Sequence, residues 1–328
     1  MNLAYRDMIL HGELTPLGEL SGAFLEPKNA EHLQFAYYES SLVVEFLAQR
    51  FGLEALKSIL RDLREGQEIN QAIAKCTLPL AELEKQFTAF VRARAENLAP
   101  GADLDEPPTE DTEAEKLAWE KLHPNNYYVR LRKARELMES KHWAEARAAV
   151  TSLAAAYHGE RRAENPLWLE AETERNLNDT NAEWATLQAL DEQESDFVDL
   201  QLRLIELAGA RRDWPAETKY AERLLQINPL IAAPYRALAE AGVASDNREQ
   251  AIEAYRKLLL LDPPDPAETH FDLARLLHAR GGAESEAKRH VLQALEDAPR
   301  YRDAQRLLLE IEAASAKGEN PATTQARF

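Results

Sequence analysis

The chain has 328 residues with 57 acidic and 39 basic side chains, a formal charge of −18, and a field of that sign repels phosphate backbones, so nucleic acid is not expected as a partner. Its single cysteine, Cys76, excludes an internal disulfide and a cysteine-based zinc cluster. The longest aliphatic runs, such as Leu258 to Leu261, are far too short to cross a bilayer, and the opening residues lack the basic start and apolar core of a secretory signal; membrane insertion is not expected, and a cytoplasmic location is, for the chain as written.

Apolar residues recur at three- and four-residue spacing nearly throughout, and strand-like alternation is almost absent, so the expected class is all-α. Residues 1–99 read as an irregular start followed by about four helices. The stretch HGELTPLGELSGAFLEPKN, rich in Gly and Pro, is expected to loop over a surface. Asn29 is placed to cap a helix running through Arg50, with Gly52 where a C-terminal glycine belongs. LEALKSILRDLRE and INQAIAKC follow, the latter holding Cys76 as a small core residue. A helix then begins near Pro79 and carries Leu80, Leu83, Phe87, Phe90 and Val91 on its apolar face. From Asp103 to Glu115 the sequence DLDEPPTEDTEAE holds seven acidic residues and a Pro-Pro pair, which predicts an extended linker over 100–116. Residues 316–328 read as a disordered tail.

Between them, over 117–315, the pattern is a repeat. DWPAETKYAERLLQINP (Asp213 to Pro229) superposes without a gap on NREQAIEAYRKLLLLDP (Asn247 to Pro263), so the step from Pro229 to Pro263 is one repeat length. A third copy ends at Pro299, and looser copies lie around Lys141 to His158 and Trp168 to Leu190. Leu200, Tyr235 and Phe271 occupy the anchor position of the preceding helices. Ala146, Ala251 and Ala287 occupy the site where helices cross closely, whereas Glu217 stands there in its own unit. This pattern resembles the tetratricopeptide repeat (TPR), whose helix pairs of about 34 residues stack because one pair cannot bury its own apolar face. The resemblance implies an α-α superhelix that grips a protein or peptide partner along the first helix of each unit. The residues expected to face that groove are Glu206, Arg236, Glu240 and Asp272. They lack the Lys and Asn set that clamps a C-terminal carboxylate, and an acidic groove favours basic or apolar peptides.

The N-terminal segment carries a different signal. In FAYYESSLVVEFLAQRFG, Leu42, Val43, Phe46 and Leu47 form an apolar stripe, and Tyr38 sits where its ring packs while its hydroxyl reaches a cleft. Tyr38-Glu39-Ser40-Ser41, the helix LVVEFLAQRFG and the following GLEALKSIL resemble the distal helical part of gluzincin metallopeptidases of the peptidase MA-like kind. The resemblance covers residues 2–99 and implies that Tyr38 donates to the oxyanion formed when zinc-bound water attacks a peptide carbonyl. The sequence departs from that family in having no His-Glu-x-x-His, no two histidines four residues apart, and Ser40-Ser41 in place of Lys-Gly. Glu120-x-x-His123 and Glu139-x-x-His142 read as surface turns. The chain as given is therefore expected to hold no metal and no cofactor and to be non-catalytic, with zinc belonging to a longer parent protein.

Three functions follow. The first is a TPR-type interaction scaffold carrying a catalytically incomplete peptidase remnant. The alternative is the C-terminal fragment of a zinc peptidase whose metal motif lies upstream of Met1. A third makes the N-terminal helices a structural cap on the repeat array, with Tyr37 and Tyr38 as packing residues; an extended acidic linker weighs against such docking.

Overall fold

The computed structural model describes residues 1–108, 112–157, 159 and 162–318, and every regular element among them is helical, in agreement with the all-α expectation. The first helices are α1 (Leu3–Leu10), α2 (Leu20–Leu25), α3 (Ala30–Arg64), α4 (Ile69–Cys76) and α5 (Leu80–Glu96). α6 (Glu113–Leu122), α7 (Tyr127–Glu139), α8 (Trp143–Ala156) and α9 (Pro166–Asn176) follow. Then come α10 (Thr180–Gln193), α11 (Val198–Arg211), α12 (Trp214–Ile227), α13 (Ala232–Ala244), α14 (Arg248–Leu259), α15 (Pro266–Arg280), α16 (Glu284–Asp297) and α17 (Arg302–Gly318). No helix of the described residues is long and apolar enough to span a membrane.

The chain divides into two compact units, Met1–Thr173 and Glu174–Phe328, the division falling within α9. In the first unit, α3 is one long element broken at Gly52, whose φ of 79° and ψ of 168° are open to glycine and strained for other residues. Asn29 caps α3 as expected, its side chain accepting from the His32 N–H at 2.9 Å. Phe35, Leu42, Val43, Phe46 and Leu47 of α3 bury against Leu83, Phe87 and Val91 of α5 and against Met8 and Ile9 of α1. Phe46 lies 5.8 Å from Phe87 and 5.4 Å from Phe90, ring centre to ring centre. Cys76 is half-buried at the edge of this core, with Sγ 3.6 Å from Asp62 Oδ2. The loop expected over His11–Asn29 is partly helical, holding a 3-10 turn at Leu17–Glu19 and then α2; Leu17 is buried and draws that segment onto the core.

The expected extended linker is corrected as well. Leu104 is buried in an apolar cluster with Leu3, Tyr127, Tyr157 and Leu169. Asp103 O accepts from the Tyr127 N–H at 2.8 Å, and the buried Asn126 side chain donates to Asp103 Oδ1 at 2.9 Å and Asp105 O at 2.8 Å. Thr112 and Glu115 form a capping box that starts α6 at Glu113, two paired donors being enough to begin a helix in an acidic run. Residues 109–111 of the expected linker lie outside the described residues. So does 319–328 of the expected tail, whose first residues instead continue α17 to Gly318.

Helix pairs build the second unit. Asn178, Arg212 and Asp246, spaced by the same interval as Pro229 and Pro263, hold left-handed backbone (φ 59°, 56° and 55°) at the turn between paired helices. Each is followed by a capping residue. Asp179, Asp213 and Asn247 accept from the N–H three residues on, at 3.1, 3.2 and 3.3 Å. The last pair uses Gly281 and Gly282 instead, at φ 76° and 73°. Leu200 and Tyr235 are buried anchors and Phe271 is partly buried.

At the α13–α14 crossing, a β-carbon on Gly242 stands 2.8 Å from Ala251 N and 3.1 Å from Ala251 Cβ, and the first of these is backbone that cannot swing aside. Gly242→Ala is therefore expected to destabilise the protein by about 1–3 kcal/mol, against the small gain that Gly→Ala gives in an open helix. Urea denaturation measures it, and a change of less than half that lower bound refutes the close crossing.

Candidate peptide-binding face

The second helix of each pair meets its neighbours at a fixed position, four residues after the N-cap. Ala146, Glu183, Glu217, Ala251 and Ala287 occupy that position, and all five are buried. Two of them are carboxylates, and the fold treats them differently.

Glu183 is fully buried and fully paired. Arg203 of α11 holds it with a fork, Nε to Oε1 at 2.7 Å and Nη2 to Oε2 at 2.8 Å, and Arg175 of α9 donates Nε to Oε1 at 2.8 Å. Burial alone raises a carboxyl's pKa; here the Arg203 and Arg175 guanidinium groups outweigh it and hold Glu183 below the ordinary range. Arg203 also reaches Glu206 at 2.6 Å. Asp191, the next buried acid on α10, accepts from Gln201 at 2.7 Å and pairs with Arg223.

Glu217 has no such partner. Only 3 % of the residue is exposed, and its Oε2 is buried with no hydrogen bond. Its Oε1 lies against α11, 3.0 Å from where a β-carbon on Gly209 would stand. Burial, with the charge of Glu240 added, pushes the Glu217 carboxyl up to about 7.

The four side chains expected to line the groove all lie on first helices of the pairs, Glu206 on α11, Arg236 and Glu240 on α13, and Asp272 on α15. Glu206, Arg236 and Glu240 are exposed. Asp272 is half-buried, accepting from Arg275 at 3.0 Å and from the Tyr255 hydroxyl at 3.3 Å. Burial and then Asp272 raise the Tyr255 hydroxyl, with a smaller contribution from Glu240. Glu240 thus acts on both Glu217 and Tyr255, whereas Glu206 belongs to the Arg203 cluster. Arg175, Glu183, Arg203 and Glu217 escaped sequence reasoning as site residues. The available signal was a glutamate standing at Glu183 and again one repeat later at Glu217, where neighbouring units place alanine.

In the first unit Tyr38 lies within α3. Its ring stacks on Tyr5, with centres 4.9 Å apart, and its hydroxyl is buried without a hydrogen bond among the described residues. Beside it Glu39 is fully buried, with Oε1 accepting from the Thr15 N–H at 2.8 Å and Oε2 unpartnered; burial pushes its carboxyl up to about 7. Tyr37 is exposed and meets Phe24 edge-on at 4.9 Å.

Asp103, Asp105 and His123 bring one ligand atom each within 4.8 Å of one another. His123 Nδ1 already bonds Asp103 Oδ2 at 2.8 Å while its ring stacks on Trp119, so this is a hydrogen-bonded knot rather than the two-histidine donor set of the metallopeptidase resemblance. Of the two Glu-x-x-His pairs, Glu120 bonds Arg132 and His142 bonds Ser140. The fold also joins His270 and His290, 20 residues apart, with their Nδ1 atoms at 2.9 Å.

No protein-family model matches the sequence, and no curated protein does. Among solved structures the chain is similar to MamA from Desulfovibrio magneticus RS-1, at 16% identity over 52% of this chain and 93% of that one, with a TM-score of 0.41. It is also similar to TTC0263, a thermophilic TPR protein of Thermus thermophilus (18% identity, 57% and 99% covered, TM-score 0.32) and to yeast Tom70 (12%, 97% and 71%, 0.36). Identities and scores this low leave the repeat assignment resting on the helix pairs themselves.

Removing the guanidinium from Glu183 leaves a buried charge half-paired. Arg203→Leu is expected to cost about 3–5 kcal/mol, read by urea denaturation, and a cost under about 1 kcal/mol rejects the pairing as described.

Glu217 has the opposite sign. Its folded-state value of about 7 lies above the ordinary 4.5, so the unfolded chain ionises first and stability falls as pH rises from about 4.5 through 7. Glu217→Gln is expected to raise stability by about 2–3 kcal/mol at pH 8 and to change it little at pH 4.5. Thermal unfolding at both values checks this; an equal effect at the two pH values refutes it.

Proposed function

We propose that the chain is a non-catalytic protein-interaction scaffold whose second unit binds peptide segments along the first helices α11, α13 and α15. The observation that carries this reading is the repetition itself. Turns of one geometry, at Asn178, Arg212 and Asp246, set successive helix pairs in register, and the charged side chains Glu206, Arg236, Glu240 and Asp272 stand on the first helices only. Charged side chains in a packed array keep a face open to water; Glu206 pairs there with Arg203 and Asp272 with Arg275, and Glu240, with no ion pair among the described residues, favours a basic ligand.

A second role attaches to the N-terminal helices. Leu3, Leu104, Tyr127, Tyr157 and Leu169 share one apolar cluster, and the Tyr157 hydroxyl donates to Met1 O at 3.0 Å. This supports reading α1 to α5 as a cap on the α7–α8 pair, since an end of a repeat array exposes an apolar face unless something covers it. Tyr38 enters this reading as a packing residue of the cap, and the metallopeptidase resemblance supplies it with no reaction.

The test is an array of blocked dodecapeptides of varied charge, probed with the full chain. Basic peptides are expected to bind in preference to acidic ones, with affinity dropping about tenfold between 50 and 500 mM salt. The Glu206→Lys/Glu240→Lys/Asp272→Asn variant is expected to reverse the preference. Indifference to peptide charge, or an unchanged ranking in the variant, rejects the proposed face.

A further inference from the structure

The cluster around Glu183 recurs one repeat later with its cations removed. Moving one repeat length along the chain from Arg175, Glu183, Arg203 and Glu206 leads to Gly209, Glu217, Ala237 and Glu240. Both acids are kept. Both arginines are replaced by the two smallest side chains. One repeat further on, Val243 and Ala251 stand in the places of Gly209 and Glu217. Two successive repeats therefore carry, at one place in the fold, a neutral ion network and an uncompensated acid pair, and the third has an alanine where the buried acid stood.

The middle case is the anomaly. A carboxylate oxygen stripped of water needs a charged or hydrogen-bonding partner, and Glu217 Oε2 is buried with none among the described residues. The Glu183 cluster, one repeat upstream, shows what this fold accepts there: a planar fork approaching from the first helix of the next pair, with both carboxylate oxygens engaged. At Glu217 the corresponding side chain stops at the β-carbon of Ala237, and Gly209 carries none. Glu240, on the exposed face of α13, adds a second negative charge at the site.

We propose that Glu217 and Glu240 form an anchor for an arginine side chain of a peptide partner, whose guanidinium takes the place over Glu217 that Arg203 takes over Glu183. This rests on reading α11, α13 and α15 as the peptide-binding face, and it names what that face selects. Arginine is favoured over lysine because the template is a two-pronged contact that an ammonium group cannot reproduce. The partner supplies the charge that the repeat omits, so the surrounding sequence needs to be no more than extended and compatible with the first helices.

Blocked pentapeptides with a central arginine, lysine or norleucine between alanines are titrated into the full deuterated, 15N-labelled chain at pH 8. The arginine peptide is expected to shift the amide signals of Gly209 and Ala237, to bind at least fivefold more tightly than the lysine peptide, and to outbind the norleucine peptide by more. Glu217→Gln is expected to weaken the arginine peptide at least tenfold. The Gly209→Arg/Ala237→Arg variant, which restores both internal cations, is expected to block it; should that variant not fold, Glu217→Gln alone decides. Equal binding of arginine and norleucine peptides, or unchanged affinity in Glu217→Gln, overturns the anchor. If dodecapeptides from the array still shift Arg236 and Asp272 in Glu217→Gln with unchanged affinity, the anchor falls and the peptide-binding face stands. If no peptide of either set binds the wild-type chain, both fall.

Discussion

The contact on which each repeat depends is the crossing of a second helix over its first, four residues past the N-cap. Where that position is alanine, the backbones approach until Gly242 has no room for a β-carbon, and the apolar residues on either side close into one core. The turn before it is equally constrained. A left-handed residue reverses the chain, and the next side chain caps the new helix, so the register of one pair is handed to the next. Placing a glutamate at the crossing conflicts with this logic, because the position is dry wherever it occurs.

Two solutions to that conflict coexist in the second unit. At Glu183 the cost of burying a charge is offset by two guanidinium groups whose stems rise from the flanking first helices. At Glu217 nothing offsets it, and the carboxyl's raised pKa is the electrostatic expression of the same fact. The first unit holds a carboxyl of similar character, Glu39, but with an evident structural use. Its Oε1 accepts the Thr15 N–H and so ties the segment between α1 and α2 to the middle of α3. Glu217 makes no comparable tie.

Much of this architecture was legible in the sequence because it is periodic. Helical spacing gave the class, the proline-to-proline interval gave the repeat, and alanines at the crossing gave the close contacts. The first helices were also legible, and Glu206, Arg236, Glu240 and Asp272 lie on them. What periodicity does not carry is long-range pairing. Leu104 looked like part of an acidic linker until Leu3 and Tyr127 closed around it, and Asp103 until Asn126 bonded it. Tyr38 occupied a suggestive place in a motif, yet Tyr5, from a different helix, stacks on its ring within a buried setting. The partners of Glu183 lie 8 and 20 residues away on two other helices, which no helical wheel of α10 reveals.

The uncompensated Glu217 is best understood against its own neighbours. Ala251 and Ala287 show that the same position in the same fold accepts a small apolar side chain, and Glu183 shows that it accepts an ion network. Either solution is more stable than a buried acid without a partner, because removing a lone buried charge relieves desolvation while an apolar contact adds packing. Both of those solutions occur within one or two repeats of Glu217. Proteins depart from local consistency chiefly where a site needs the departure. A carboxylate with one oxygen buried and unpartnered, and with only glycine and alanine where the arginines of Glu183 stand, is the arrangement that leaves a cation's place to be filled from outside.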